Sequence, residues 1–401
     1  MQTNLAAFVK SKKEHDELES ILRSCVHCGF CNATCPTYQQ TGNELDGPRG
    51  RIYLLKQALE GAQVGLVTQQ QLDSCLSCRS CETTCPSGVE YGRLLDLGRV
   101  IVEEKVSRTL LDRIKRGFIL TLFPYPQRFY RVMQIARVVK PLLPKIYKQK
   151  IPARQMVEQW PKNNHQRKVL ILSGCVQATL APSIDLAAAR VLDKLNISLL
   201  QADSSACCGA LSYHLSEHEK SQAQARQNID ACWPLIEQGI EAITMTASGC
   251  GLALKEYQTL LQDDQRYAEK AKRFSDLVKD LAEILADEDL SMFKASNIKL
   301  AYQSPCTLQH GQQLPYLVES LLESIGYNLI ETDNNYLCCG SAGVYSLLHP
   351  EMSEQLRDNK LVDLHSTEVD CIATANIGCL THLQAGTDVQ VGHWIELLDA
   401  D

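Results

Sequence analysis

Eight cysteines in the first quarter of the chain fall into two runs of one pattern, "CVHCGFCNATCP" (25–36) and "CLSCRSCETTCP" (75–86). Both read C-x2-C-x2-C-x3-C-P, the spacing through which cysteine thiolates hold [4Fe–4S] clusters. A short loop supplies three thiolates to three irons. The proline then ends the loop, and the fourth thiolate points elsewhere. Where two such runs share a chain, the fourth cysteine of each ligates the other cluster. The pattern therefore assigns Cys25, Cys28, Cys31 and Cys85 to one centre, and Cys75, Cys78, Cys81 and Cys35 to a second. Zinc and disulfides are the competing uses of cysteine. A zinc ribbon would show two C-x2-C pairs instead of two combs of four, and zinc gains nothing from the trailing proline.

Two further thiol motifs lie downstream. Cys207-Cys208-Gly209 and Cys338-Cys339-Gly340 each place adjacent cysteines before a glycine. Neighbouring Cα atoms lie ~3.8 Å apart, below the ~4.4 Å floor for ordinary disulfides. Two thiols from one turn can, however, reach a shared inorganic centre. The spacing around them repeats: 32 residues separate Cys175 from Cys207 and Cys306 from Cys338, and the halves are offset by 131 residues. Cys250 follows Cys208 by 42 residues, and Cys379 follows Cys339 by 40. This is a duplicated module. Each half gathers four thiols, Cys175, Cys207, Cys208 and Cys250, then Cys306, Cys338, Cys339 and Cys379. They are expected to bind a further iron–sulfur centre or a structural zinc; the alternative is that they are buried small hydrophobes. The glycine after each pair is expected to let backbone approach the bound group. Cys232 and Cys371 fall outside the repeat and read as core. His214 and His310 lie near the cysteines without a fixed spacing partner and read as structural.

The elements that must carry these residues can be read from periodicity. Between the combs, "NELDGPRGRIYLLKQALEG" sets Ile52, Leu54, Leu55 and Leu59 at helical spacing. The first module is thus expected to be helical, with the combs in its loops and the two clusters close enough to form a relay. In each later half, "RKVLILSGCV" or "IKLAYQSPCT" reads as a strand. A helical stretch follows, then "EAITMTASGCG" or "VDCIATANIGC" as another strand. That order implies an α/β fold with sites at strand ends. The chain as a whole is α+β and multi-domain: a helical two-cluster module over 1–104, a connector over 105–165, and two repeats over 166–297 and 298–401.

At 401 residues, with 45% apolar and 22% charged side chains, the composition is that of a globular protein with room for several cores. No apolar run reaches the 18 residues a membrane span needs, and the N-terminal segment does not read as a signal peptide. The 18 cysteines are therefore expected in a reducing, cytoplasmic compartment, where clustered thiols mean metal. Net charge is −7, yet residues 105–150 hold twelve Lys/Arg and a single acid, Asp112. Prolines 124, 126, 141, 144 and 152 are expected to break this stretch into short helices and extended pieces. Its basic residues interleave with Phe123, Tyr125, Phe129, Tyr130 and Tyr147, which suits a membrane surface or an acidic partner, or else a solvated linker. Nucleic acid is excluded by the acidic remainder and the lack of a recognition motif. There is no G-x-G-x-x-G after a strand and no P-loop, so a nucleotide or flavin has no visible seat.

With these residues in view, the chain resembles the CCG-containing iron–sulfur oxidoreductase subunits, and most nearly the bacterial glycolate oxidase (glycolate dehydrogenase) iron–sulfur subunits. The stretches that carry the likeness are "CVHCGFCNATCPTY", "ELDGPRGRIYLLKQ", "LSGCVQ", "CCGALSYHL", "NIDACWP", "TASGCG" and "CCGSAG". The resemblance implies an N-terminal ferredoxin domain and two CCG domains. It further implies an electron-transfer subunit, cytoplasmic and peripheral to the inner membrane, acting as part of an oxidoreductase. A partner subunit would hold FAD and oxidise glycolate to glyoxylate, and a quinone or other acceptor would take the electrons. The isolated chain would only transfer them. The alternative is an equivalent electron-transfer subunit serving a lactate or glycerol-3-phosphate dehydrogenase, or an enzyme of the heterodisulfide reductase type. In that wider family the repeat reads C…CCG…C-x-x-C and supplies five thiolates. Here Ala247 and Asn376 replace the penultimate cysteine of each repeat, leaving four per half.

Overall fold

The computed structural model describes residues 1–6, 12–142, 151, 153–155, 159–202, 204–365 and 368–399. Among the described residues up to 142 every regular element is helical. The helix Pro48–Leu59 between the combs forms as its periodicity requires. It starts on Pro48, whose missing N–H costs nothing in a first turn, and it buries Ile52, Leu55, Ala58 and Leu59. These meet Leu18, Ile21 and Leu22 of the helix Lys12–Ser24, and Leu94, Leu95 and Val102 of the helix Tyr91–Lys105. Each such side chain contributes about 1.5–3 kcal/mol on burial. Gly98 lets the helices touch, since a Cβ there would lie 2.2 Å from Leu55 Cδ2. Both combs lie at the edge of this core, and each is a loop interrupted by a short helix, Phe30–Ala33 or Ser80–Thr83, that carries its third cysteine.

The connector differs from expectation. Instead of short helices and extended pieces it forms two regular helices, Leu110–Leu122 and Pro126–Val139. Pro126 occupies a first turn and so starts a helix instead of breaking one. Thr109 caps the first helix by accepting from Asp112 N at 3.3 Å. Part of its positive charge is spent internally. Arg108 pairs with Asp73 at 2.6 Å, with Glu103 and with Asp112, and Arg116 also reaches Asp73 at 2.9 Å. Ile119 packs with Leu215 and Val344, wedging the hairpin between the two repeats. Pro144, Tyr147 and Pro152 lie outside the described residues.

The repeats are two parallel sheets. The first contains β1 (Arg167–Ile171), β2 (Ile197–Gln201) and β3 (Ala242–Thr244) in the order β2-β1-β3. The second contains β4 (Lys299–Gln303), β5 (Asn328–Ile330), β6 (Cys371–Thr374) and β7 (Gln390–His393) in the order β5-β4-β6-β7. Crossovers such as Ser183–Lys194 and Leu317–Ile325 cover the sheets, as parallel strands demand. One core runs across both halves, from Val169 and Ile184 to Leu300, Leu322 and Trp394.

Candidate metal centres

In both combs the backbone turns the same way at the same places. His27 and Ser77 have φ of 56° and 51°, and Gly29 and Arg79 have φ of 87° and 60°. A non-glycine residue pays of order 1–2 kcal/mol for this left-handed geometry. Alternating such residues rotates successive N–H groups toward one concavity, the nest that suits an anionic centre. Ser77 N donates to Cys75 Sγ at 3.4 Å, and Val89 N donates to Cys85 Sγ at 3.5 Å.

The thiols ring two adjoining cavities. One is lined by Cys25, Cys28, Cys31 and Cys85, and the other by Cys35, Cys75 and Cys78, with Cys81 on the wall of both. The fourth cysteine of each comb thus stands at the other comb's cavity. Among the described residues, no three His, Cys, Asp or Glu side chains converge on a single-ion site. A cluster asks for something else, because its ligands ring a volume. The donors, the N–H groups aimed at sulfur and the crossed arrangement all fit an iron–sulfur cluster in each cavity. Burial pushes the Cys31 thiol up to about 11 and those of Cys78 and Cys81 well above the usual range. A metal would therefore have to displace protons on binding. Cys28 is the exposed member, flanked by exposed Val26 and Phe30.

One residue here gave no signal in the cysteine patterns. Arg51 is 1% exposed and lines the second cavity. Its Nε donates to Gln71 O at 2.7 Å, and its Nη2 to Ser74 Oγ at 2.9 Å. An arginine four residues before Leu55, on the apolar face of its helix, was the visible clue.

In the repeats every cysteine of the quartets sits just past the C-terminal end of a parallel strand, where such sheets place their sites. Cys175 follows β1, Cys207 and Cys208 follow β2, and Cys250 lies in the helix Ser248–Lys255 after β3. Cys306, Cys338 and Cys339, and Cys379 in the helix Ile377–Gln384, follow β4, β5 and β6 in the same way. The thiols touch in sequence: Cys175 Sγ reaches Cys207 Sγ at 3.5 Å, and Cys306 Sγ reaches Cys338 Sγ at 3.9 Å. The hydrogen bond from Cys175, with help from Cys208, holds the Cys207 thiol well below its ordinary value.

The glycine of each CCG is required by packing. Gly209 and Gly340 have φ of 89° and 87°, and a Cβ would meet Ser221 Oγ at 2.9 Å or Ser353 O at 2.6 Å. They fit the turn against a neighbouring helix. The positions without a cysteine, Ala247 and Asn376, are the N-caps of the two cysteine-bearing helices. Asn376 Oδ1 accepts from Gly378 N at 2.8 Å and its Nδ2 donates to Ser248 Oγ at 3.1 Å, joining the halves. Cys232 is core, and Cys371 is a half-buried strand residue. His214 is exposed. His310 is buried; its Nδ1 accepts from Thr83 Oγ1 at 3.0 Å and its Nε2 donates to Tyr336 O at 2.9 Å.

Fold and sites together define an iron–sulfur protein of the oxidoreductase type, a helical cluster-binding module joined to two cysteine-rich repeats. A profile described as "4Fe-4S dicluster domain" matches residues 21–89, and one described as "Cysteine-rich domain" matches 169–255 and 300–384. The chain is 51% identical to the glycolate oxidase iron-sulfur subunit of Escherichia coli K12, over 100% of this chain and 98% of that protein. It is 31% identical to the probable glycolate oxidase iron-sulfur subunit of Bacillus subtilis 168, over 94% and 91% of the two. Identity falls to 27% with a subunit of the fumarate reductase (CoM/CoB) of Methanothermobacter marburgensis, over 59% of this chain and 47% of that one. The chain belongs to the family of glycolate oxidase iron–sulfur subunits. No helix among the described residues is long and apolar enough to cross a membrane.

Proposed function

We propose that this protein is the electron-carrying subunit of a complex that oxidises glycolate to glyoxylate. A partner subunit holding FAD removes the electron pair from the hydroxy acid, and this chain passes the electrons singly toward a quinone or another acceptor. Cys25, Cys28, Cys31 and Cys85 hold one [4Fe–4S] cluster; Cys75, Cys78, Cys81 and Cys35 hold the other. The quartets of the repeats hold a further iron–sulfur centre or zinc. The observation that carries the reading is the pair of adjoining, crossed cysteine cavities. Clusters so placed exchange electrons, and their potentials answer to burial and to hydrogen bonds on sulfur.

The complex works at the cytoplasmic face of the inner membrane. The support is the connector hairpin, where Leu110, Leu111, Phe118, Ile135, Val138 and Leu142 are exposed beside Arg113, Lys115 and Arg131. Apolar side chains among cations suit a surface of anionic lipid.

The test is iron and sulfide analysis with low-temperature EPR on anaerobically assembled protein. Cys28→Ser and Cys78→Ser should each damage one centre, spare the other and stop electron flow from the flavoprotein. Colourless, iron-free wild-type protein, or unimpaired transfer in both variants, refutes the proposal.

A further inference from the structure

The two quartets of the repeats are alike in sequence but not in surroundings. The first packs within a core drawn wholly from residues 170–278. There Asn228 Nδ2 donates to Cys207 O at 3.1 Å, and Tyr257 Oη donates to Cys208 O at 2.8 Å. The second quartet shares a core with a comb. Leu76 and Cys78 pack with Cys306, Cys338, Tyr345 and Leu356 in one apolar cluster. Leu76, Cys338, Tyr345 and Leu356 are buried and Cys78 and Cys306 half-buried, so the junction is largely shielded from water. It is pinned on both sides: Tyr345 Oη donates to Ser74 O at 3.2 Å, and Thr83 Oγ1 donates to His310 Nδ1 at 3.0 Å.

We infer, resting on the cluster reading proposed above, that Cys306, Cys338, Cys339 and Cys379 hold an iron–sulfur centre that exchanges electrons directly with the centre at Cys35, Cys75, Cys78 and Cys81, and that the first quartet does not. One electron leaves the comb centre, which is oxidised, and reaches the centre at the second quartet, which is reduced. No bond breaks and no proton moves. Zinc, which has no redox chemistry, cannot serve in the second quartet. Charge on one side of a contact largely shielded from water is felt strongly on the other, so emptying the second quartet must alter the comb centre's potential.

The experiment is an EPR-monitored redox titration of the full chain, assembled anaerobically, with iron and zinc counted in every sample. Cys379→Ser is the decisive variant, because Cys379 belongs to the second quartet and lies outside the junction core. It should move the redox equilibrium of the Cys78 centre at least tenfold, which is 59 mV for one electron. Cys306→Ser should do the same, and the Cys28 centre should stay put in both. Cys175→Ser, in the first quartet, should change the Cys78 centre less than twofold. Equal shifts from Cys379→Ser and Cys175→Ser, no shift from Cys379→Ser, or zinc in the second quartet overturns the inference. Wild-type protein without comb iron would instead sink the reading beneath it.

Discussion

Replacing Arg51 with methionine would remove a buried cation from the wall of the second comb cavity while keeping most of its apolar stem. Burial opposes the charge, but Cys75, Tyr91, Cys35 and Asp46 more than restore it, so the guanidinium stays protonated. At an effective dielectric constant of 20 a unit charge is worth about 4 kcal/mol at 4 Å, and half that, about 2 kcal/mol, at twice the distance. For one electron that corresponds to roughly 90 mV, at 59 mV per tenfold change. Reduction adds negative charge, which a neighbouring cation stabilises. Its loss must therefore lower the potential of the Cys78 centre. The assay is a redox titration followed by EPR, with the Cys28 centre as internal reference. Arg51→Lys, which keeps the charge, should recover at least half the shift. The variant should also be less stable by about 3 kcal/mol, because Asp46 at 3.8 Å and the acceptors Gln71 O and Ser74 Oγ lose their partner. A Cys78 centre whose potential stays fixed or rises in Arg51→Met would refute the electrostatic argument.

Gly50→Ala should destabilise the first module by about 1–3 kcal/mol in urea unfolding, since the new Cβ would sit 2.1 Å from Glu44 O and neither backbone can retreat cheaply. Asp185 is buried, accepts from Gln177 Nε2 at 2.7 Å and Thr246 Oγ1 at 2.6 Å, and burial raises its carboxyl to about 6 from an ordinary value of 3.8. The folded form thus binds more protons than the unfolded one between those values, and stability falls as pH climbs from about 4 to about 6. Asp185→Asn should flatten that limb of a pH–stability curve, by up to roughly 3 kcal/mol; an unchanged slope would count against it. Phe118→Asp with Ile135→Asp should leave melting intact but weaken sedimentation with anionic vesicles more than tenfold, as two lost apolar contacts of about 1.5 kcal/mol each imply. Equal binding by the wild-type and doubly substituted chains would leave the hairpin without a lipid role.

The cysteine chemistry was legible in the sequence because it is local. Three thiols of each comb sit within seven residues, and no folding is needed to see what they can chelate. The duplication was legible too, through equal spacings between cysteines. Strands β2, β5 and β7 went unread, whereas β1, β3, β4 and β6, which are no longer, were read because each lies in a stretch that runs to a cysteine of the repeat. The connector was misjudged because a proline is a breaker within a helix and a starter in its first turn, and Pro126 is the second kind. That the CCG glycines also pack against Ser221 and Ser353 was not legible in the motifs themselves. Hardest of all was the junction between Cys78 and Cys306. It joins residues more than two hundred positions apart, and neither strand nor helix periodicity encodes which of two similar repeats a loop will meet.

Cys28 is the exposed thiol of its quartet, whereas Cys81 and Cys35 are buried. An opening at Cys28 admits dioxygen and chelators to that quartet. Air should therefore bleach a cluster held by the Cys28 quartet first, leaving protein that still looks half-intact by colour.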